Sequence, residues 1–453
     1  MPDQLPRRLN LVDAIAIVVG SMIGSGIFLK ASEIAHLLPD PAIVVAVWVA
    51  AGALTLCGGL VMAELGAMYP HSGGLYVYLR EAYGSFFAFV FGWSLLAILQ
   101  TGSIAGMAAG AAQSLTVLWP EIEPVRTLLA AGLIVLLTLV NIASLKAGAR
   151  VQNLLTSAKV LGILLLVGGA VAMGHTDTAN FAPEGVQPAG AALIGAFGLC
   201  MIKALWAYDG WVNLSFVGGE LREPQRNLPR AVGLGVVVVI MVYLATNVVY
   251  HLALPVSAVQ ASSSVAVEVA REMMGATGAL ALTILTFVSM AGALNSSILS
   301  APRVYYAMAL DRLFFPIVAA VHPRFATPYV ALALQGAWSL ALLVWWQNFS
   351  RITDNVIFIF WIFYALGALA VIILRHKRPD RERPYRAVGY PWLPVAFVAA
   401  ALWLTLNNIW LDPANSAQAL VLVASGALLY PLFRKGAGAD SPAAVGRDNG
   451  GTR

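Results

Sequence analysis

The feature that most constrains this chain is a series of apolar runs, each about 20 residues long, separated by short polar or proline-containing breaks. A helix of about 20 apolar residues spans the hydrocarbon core of a bilayer. Because 60% of the residues are hydrophobic and only 11% are charged, the chain cannot cover a water-soluble surface. The sequence therefore predicts an all-α membrane protein that forms one large integral domain.

These runs predict twelve transmembrane helices. They cover residues 11–36, 41–68, 86–115, 126–145, 151–174, 190–219, 230–254, 277–310, 328–346, 354–374, 391–411 and 417–434. Residues 1–10 form the predicted cytoplasmic N-terminal tail, and residues 435–453 form a flexible cytoplasmic C-terminal tail. Because no small-residue cleavage site accompanies the first run, we expect the N-terminal segment to be retained rather than removed as a signal peptide.

The lysines and arginines orient the predicted helices. Cytoplasmic loops of membrane proteins carry an excess of these residues. With the N-terminus in the cytoplasm, only four of the 27 fall on the opposite side, and two, Lys159 and Lys203, fall within helices. Both termini are therefore predicted to be cytoplasmic, in a multi-pass protein of the plasma (inner) membrane. The net charge of +5 reflects this topology and does not indicate nucleic acid binding.

Two predicted helices contain interruptions. The first is broken within GSMIGSGIF, residues 20–28, and the sixth at WAYDG, residues 206–210. Because they are five helices apart, the two broken helices run in opposite directions, as in two inverted repeats of five helices. The predicted units are a transport core of residues 11–374, its repeats 11–174 and 190–374, and two extra helices within residues 391–434.

The polarity of the two breaks predicts an amino-acid site. A glycine inside a helix costs about 1 kcal/mol relative to alanine, and unpaired backbone groups in lipid cost several kcal/mol each. The helix that resumes after the first break starts with free amides, so Gly24, Ser25 and Gly26 are expected to hold a carboxylate. The carbonyl groups released around Trp206 and Asp209 are expected to hold an ammonium. The alternative is that the glycines only permit close helix packing.

Three segments resemble the L-amino acid transporter family of the amino acid–polyamine–organocation (APC) superfamily, in a prokaryotic-type form. They are GSMIGSGIF, LWAYDGWVNLSFVGGELREPQRNLPRA at residues 205–231, and GALNSSILSAPRVYYAMALDRLFFPIVAAVHPRFATP at residues 292–328. The similarity extends over helices one to ten. It implies a 5+5 inverted-repeat (LeuT/APC-like) fold and alternating-access transport of L-amino acids, by sodium-independent exchange and without a cofactor.

The resemblance also implies roles for individual residues. Trp206 matches an aromatic gate that closes over the substrate, although a tryptophan there could equally be an interfacial anchor. Asn295 either lines the cavity or forms an interhelical hydrogen bond. The implied substrate-binding residues are Met22, Gly24, Ser25, Gly26, Ile27, Trp206, Ala207, Tyr208, Asp209 and Asn295, and no metal site is implied.

Two departures from the family pattern limit what the resemblance implies. Many relatives carry an asparagine where this chain has Val212, so the side-chain preference of the site stays open. Animal relatives pair with an accessory glycoprotein through a cysteine between helices three and four, and residues 118–126 contain none. We therefore expect no disulfide-linked accessory subunit. The only cysteines, Cys57 and Cys200, lie within apolar runs.

The two intramembrane lysines are further candidates. Lys159 lies about 12 Å from the inner end of the fifth helix, and is expected to face the first break rather than to snorkel to the interface. The resemblance implies that its ammonium replaces a coupling ion. For Lys203 three roles are open: neutralising Asp209, favouring an acidic substrate side chain, or lying in the outer vestibule. Asp209 alone would favour a cationic side chain.

Other function classes receive little support. The sequence contains no HExxH, GxSxG or Walker A motif, so neither an enzyme nor an ATP-driven pump is expected. Within the transporter class, exchange is the leading prediction, and uniport or proton symport through Lys159 are the alternatives. Three acids near helix ends, Asp13, Glu64 and Glu220, are expected to be solvated or paired with loop arginines such as Arg226.

Overall fold

The computed structural model describes residues 5–116, 118–345 and 349–437, which are helical apart from connecting turns. The first-half helices are α1 (Leu11–Met22), α2 (Gly26–Leu37), α3 (Pro41–Met68), α4 (Leu75–Tyr83), α5 (Ser85–Ser94), α6 (Gln100–Thr116), α7 (Arg126–Ala143) and α8 (Leu145–Ala172). The second-half helices are α9 (Ala191–Ala207), α10 (Asn213–Phe216), α11 (Pro224–Ala253), α12 (Val256–Ala261), α13 (Val265–Ser300), α14 (Pro302–Leu310), α15 (Tyr329–Trp345), α16 (Phe349–Lys377), α17 (Trp392–Leu411) and α18 (Pro413–Ala437). A π-helical turn, Leu95–Leu99, joins α5 to α6.

Ten helical stretches of the described chain are long and apolar enough to cross a membrane. Two further apolar helices, α9 and α15, have 17 residues each. Large apolar side chains cover the outside of the bundle, and Leu139, Leu165 and Met241 are 58%, 65% and 65% exposed. Side chains of this kind are stable on an outer surface when that surface faces hydrocarbon, so the all-α membrane-protein prediction is supported.

Several helix boundaries differ from the predicted ones. The fifth apolar run begins at Leu145 rather than residue 151, because the Ser144 side chain accepts a hydrogen bond from the Ala147 amide and caps α8. The seventh run begins at Pro224 rather than residue 230, since proline is favoured in the first turn of a helix. The eighth run begins at Val265 rather than residue 277, with a non-helical Gly275 inside it.

The two sides of the bundle are distinguished by where the chain begins. We call the side on which α1 starts and α3 ends the N-terminal side, and the opposite side the far side. On the N-terminal side, Leu9 forms a parallel bridge with Leu221. The amides of Arg8 and Leu9 donate to the Glu220 carbonyl at 2.9 and 3.0 Å. The segment before the first broken helix is thereby tied to the segment that follows the second.

Candidate substrate site between two helix breaks

The first break separates α1 from α2. Ile23 leaves helical geometry, and the Gly24 amide donates to the Met22 carbonyl at 2.8 Å. The amides of Phe28 and Leu29 both reach the Ser25 carbonyl, and no side chain caps the start of α2. Among the described residues this leaves the amides of Ser25, Gly26 and Ile27 without a backbone acceptor. The Gly24 amide, which we expected to be free, is engaged in a tight turn.

The second break follows the end of α9 at Ala207. Tyr208 caps the helix, and Gly210 adopts a φ of +110°, which favours glycine. A Cβ atom on Gly210 would also lie 2.5 Å from the Ser21 Cβ. The chain then forms the short helix α10. The predicted sixth helix, residues 190–219, is thus two separate pieces around an unwound stretch.

The two breaks meet at Gly26. A Cβ atom built there would lie 2.4 Å from the Ala207 Cβ and 2.5 Å from its Cα, so only glycine allows this approach. Close packing, which was the alternative reading of the glycines, is therefore one role of Gly26. Its amide at the start of α2 is available for a second role in binding.

A small central pocket of about 30 Å³ lies between the breaks. That volume holds roughly two water molecules. Its lining residues are Ser21, Met22, Gly24, Ser25, Gly26, Gln100, Ser103, Met107, Trp206, Asp209, Gly210, Asn213 and Ser297. Six of the ten implied substrate-binding residues are in this set; Ile27, Ala207, Tyr208 and Asn295 are outside it.

Polar side chains that the sequence analysis missed complete the lining. Asn213 follows Val212 by one position, and its amide lies 3.4 Å from the Ser21 hydroxyl. The chain therefore brings an asparagine to the pocket although Val212 replaces the family's asparagine. Gln100 and Ser103 are buried one helical turn apart on α6. Two polar residues three apart in an apolar run were a signal that could have identified them.

Trp206 and Asp209 lie on opposite sides of a hydrogen-bonded frame. The Trp206 indole donates to the Ser25 hydroxyl at 3.2 Å, which links the end of α9 to the first break. One Asp209 carboxylate oxygen accepts from the Tyr364 hydroxyl at 2.6 Å. Tyr364 belongs to α16, so a helix outside both breaks fixes the orientation of the only carboxylate in the pocket lining.

Lys203 does not neutralise Asp209 through a contact that the structure gives. Its ammonium donates to Glu33 on α2 at 2.7 Å, and Glu33 also accepts from the fully buried Lys30 at 3.1 Å. Lys203 therefore belongs to an ionic cluster on the far side of the pocket, which corresponds to the vestibule role among the three that were open.

Lys159 reaches the first break from α8. Its ammonium donates to the carbonyls of Gly20 at 2.8 Å, Ile23 at 2.5 Å and Ser289 at 3.2 Å. The residue is fully buried, so it does not snorkel to the interface. Gly292 leaves the space that it fills, since a Cβ atom there would lie 3.0 Å from the ammonium nitrogen. A monovalent cation of the protein thus occupies the carbonyl cage at the end of α1.

Asn295 lies in an interhelical network. Its side chain accepts from Asn141 at 2.9 Å and donates to the Gly148 carbonyl at 3.2 Å and to Gln152 at 3.0 Å. These contacts join α13 to α7 and α8. In this conformation Asn295 has the interhelical role that we weighed against cavity lining.

Tyr243 was not identified from the sequence. Its hydroxyl on α11 lies 2.7 Å from the Met22 carbonyl and 2.9 Å from the Ala207 carbonyl. One side chain thus contacts the last carbonyl of each helix that ends at a break. No local sequence pattern marks this tyrosine, because its partners are about 220 and 36 residues away in the chain.

The acids near the helix ends differ from expectation. Glu220 pairs with Arg303 at 2.6 Å rather than with Arg226, and the pair is 0% and 1% exposed. Glu64 is fully buried and pairs with Arg375 at 2.6 Å. Both acids are therefore buried structural partners rather than solvated interfacial groups.

The family model described as "Amino acid permease" matches residues 9–429. This chain belongs to the amino acid permease family. The assignment makes it a transport protein rather than an enzyme. Because the match spans both breaks and nearly all described helices, the site described above is part of the region shared with the family.

The permease is similar to curated proteins over almost its full length. It is 29% identical to the Serine/threonine exchanger SteT of Bacillus subtilis (strain 168), covering 95% of this chain and 98% of the relative. It is 30% identical to b(0,+)-type amino acid transporter 1 of Mus musculus, covering 95% and 88%. It is also 30% identical to Large neutral amino acids transporter small subunit 2 of Oryctolagus cuniculus, covering 94% and 80%.

Proposed function

We propose that this permease exchanges L-amino acids across the membrane by alternating access and without sodium. The observation that carries the proposal is the convergence of two broken helices on one pocket, with unpaired amides on one side and a carboxylate on the other. A relative named a serine/threonine exchanger supports exchange over uniport. A zwitterionic head group has the two charges that such a pocket complements.

In the proposed complex the amides at the start of α2 hold the substrate carboxylate. Ser25, Gly26 and Ile27 supply them directly, and Gly24 joins when its turn to Met22 opens. The ammonium is held by carbonyls at the ends of α1 and α9 and by Asp209. Met22, Ala207, Tyr208 and Asn295 shape the site through their main chain or their packing. Asn213 and Asp209, rather than Val212, then decide side-chain preference.

Because the pocket holds only roughly two waters, the substrate requires an expanded conformation. Trp206 is proposed as the gate, since its indole bonds to Ser25 across the pocket. Release of that hydrogen bond would separate α9 from the first break and open the pocket toward the far side.

Lys159 is proposed to take the place of a coupling cation. Its ammonium already occupies three carbonyls at the end of α1, so a sodium ion there would need to displace it. The same observation supports proton symport as the second candidate, because none of these three partners is a carboxylate. Uptake driven by an imposed pH gradient without a preloaded amino acid would favour symport over exchange.

The proposed topology has twelve spans in two inverted repeats of five plus two, with both termini cytoplasmic in the plasma membrane. The biased distribution of lysines and arginines supports this orientation. No disulfide-linked subunit is proposed, because Cys57 and Cys200 lie in α3 and α9, within the apolar helices.

The test uses purified protein in proteoliposomes. A thermal-shift screen of the twenty standard L-amino acids first identifies the ligand, and counterflow of that amino acid is then measured at clamped pH. Gly26→Ala is expected to abolish specific binding and counterflow, because its Cβ would overlap Ala207 and separate the two breaks.

Gly132→Ala is the matched control, since a Cβ atom at Gly132 on α7 meets open space. It should bind and exchange as the wild type does. Binding by Gly26→Ala at wild-type affinity would contradict the site, and saturable uptake that needs no amino acid on the opposite side would contradict exchange.

A further inference from the structure

A second, larger cavity opens on the far side of the central pocket. Its volume is about 820 Å³, within the range of small-molecule sites, whereas the central pocket has about 30 Å³. We call it the far-side cavity; Glu33, Arg126, Ser263, Glu268, Arg271 and Thr286 are among its lining residues. In this conformation it has the space for an amino acid that the central pocket lacks.

The far-side cavity lies one helical turn beyond the central pocket on two shared helices. On α2, Gly26 lines the pocket and Leu29 lines the cavity; on α6, Met107 lines the pocket and Gly110 the cavity. A separation of three residues corresponds to about 4.5 Å along a helix. An amino acid that approaches from the far side therefore reaches this cavity before the pocket.

The charged lining of the far-side cavity contains both signs. Two acids, Glu33 and Glu268, and two arginines, Arg126 and Arg271, contribute to it. Arg271 pairs with Glu268 at 3.0 Å, and these side chains are 48% and 32% exposed. Pairs as exposed as this contribute little to stability, so their groups can turn toward a ligand. A wall of mixed sign fits a zwitterion better than it fits an ion of one sign or an apolar compound.

Unpaired hydroxyl groups are a second, independent feature of this wall. The side chains of Thr283 and Thr286 on α13 are 1% and 2% exposed, and their hydroxyls have no hydrogen-bond partner among the described residues. The Ser264 hydroxyl is also buried and unpaired. An unmade hydrogen bond at a buried group is unfavourable, and a polar ligand in the cavity would provide the partner.

We propose that the far-side cavity is a second amino-acid site, which holds the zwitterionic substrate before it enters the central pocket. The arginines of the wall face the substrate carboxylate, and the acids face its ammonium. This proposal rests on the proposed function for the identity of the ligand. It adds a site to it, because the central pocket alone predicts one bound amino acid per chain.

The test counts bound amino acid on the purified full-length chain. The probe is the radiolabelled amino acid that most stabilises the wild type in the screen of twenty, titrated into the millimolar range. Ser263→Trp fills the cavity from an exposed position without touching a charged pair. Val186→Trp places the same ring in an exposed loop before α9 and is the control. Gly26→Ala removes the central site.

The expected stoichiometry is about two amino acids per chain for the wild type and Val186→Trp, and about one for Ser263→Trp and Gly26→Ala. One equivalent on the wild type and none on Gly26→Ala would overturn the second site and leave the proposed function intact. Two equivalents on Ser263→Trp would overturn its placement in this cavity. Stabilisation of the wild type by none of the twenty amino acids would instead overturn the proposed function.

Arg126→Gln is a second variant in case Ser263→Trp does not elute as a monodisperse protein. Arg126 pairs with Glu123 in an exposed position, so its loss should leave the fold intact. It should weaken the second site about tenfold through loss of a carboxylate partner, with the first site unchanged. Equal affinity at both sites in Arg126→Gln and wild type would contradict the proposal.

Discussion

The two sides of this permease are held together by different kinds of ion pair. On the N-terminal side, Glu220 and Arg303 are almost fully buried, and the Glu220 carbonyl also anchors the segment before α1. On the far side, the Glu268–Arg271 pair is about a third to a half exposed and borders a cavity of about 820 Å³. The structure is thus closed on the N-terminal side and accessible from the far side.

This difference indicates where opening is costly. Separating a buried pair returns two charges to water and leaves their hydrogen bonds unmade, whereas an exposed pair is already solvated. An alternating-access cycle that starts from this conformation would therefore spend most of its conformational free energy on the N-terminal side. Variants that remove one partner from each kind of pair measure the contrast.

The largest effect is expected from Glu220→Gln. It leaves the Arg303 guanidinium buried without its carboxylate, and loss of one partner from a buried pair typically costs about 3–5 kcal/mol. The measurement is the free energy of unfolding, from denaturant titration in detergent. A loss below about 1 kcal/mol would show that the N-terminal side is not sealed by this pair. Glu220→Leu combined with Arg303→Met should recover much of the stability.

An intermediate effect is expected at the centre, from Tyr243→Phe. The variant removes the hydroxyl shared by the Met22 and Ala207 carbonyls and should lower the free energy of unfolding by about 1–3 kcal/mol. Tyr305→Phe is the matched control, because the Tyr305 hydroxyl is buried with no partner among the described residues. Equal stability changes in the two variants would remove Tyr243 from the connection between the breaks.

The smallest effect is expected from Glu268→Gln on the far side. Exposed pairs separated by three residues contribute about 0–1 kcal/mol, so the free energy of unfolding should stay within that range of the wild type. A double-mutant cycle with Arg271→Gln measures the pair directly. A coupling energy close to that of Glu220 with Arg303 would erase the contrast between the two sides.

The sequence by itself determined the membrane-spanning helices and the two breaks. Both follow from local properties: about 20 consecutive apolar residues satisfy the bilayer, and the glycines of residues 20–28 allow a helix to unwind. The family resemblance added the position of Lys159 beside the first break. Six of the ten implied binding residues line the central pocket because they belong to the breaks themselves.

Only the tertiary structure decided which polar groups from distant helices complete the site. Gln100 and Asn213 reach the pocket, Asn295 turns to Asn141 instead, and Tyr243 joins the two helix ends. It also gave Glu220 its partner in Arg303, which is 83 residues away, rather than in the neighbouring Arg226. The physical reason is that helix formation depends on nearby residues, whereas a buried polar group pairs with whichever partner the packing of helices brings within hydrogen-bond distance.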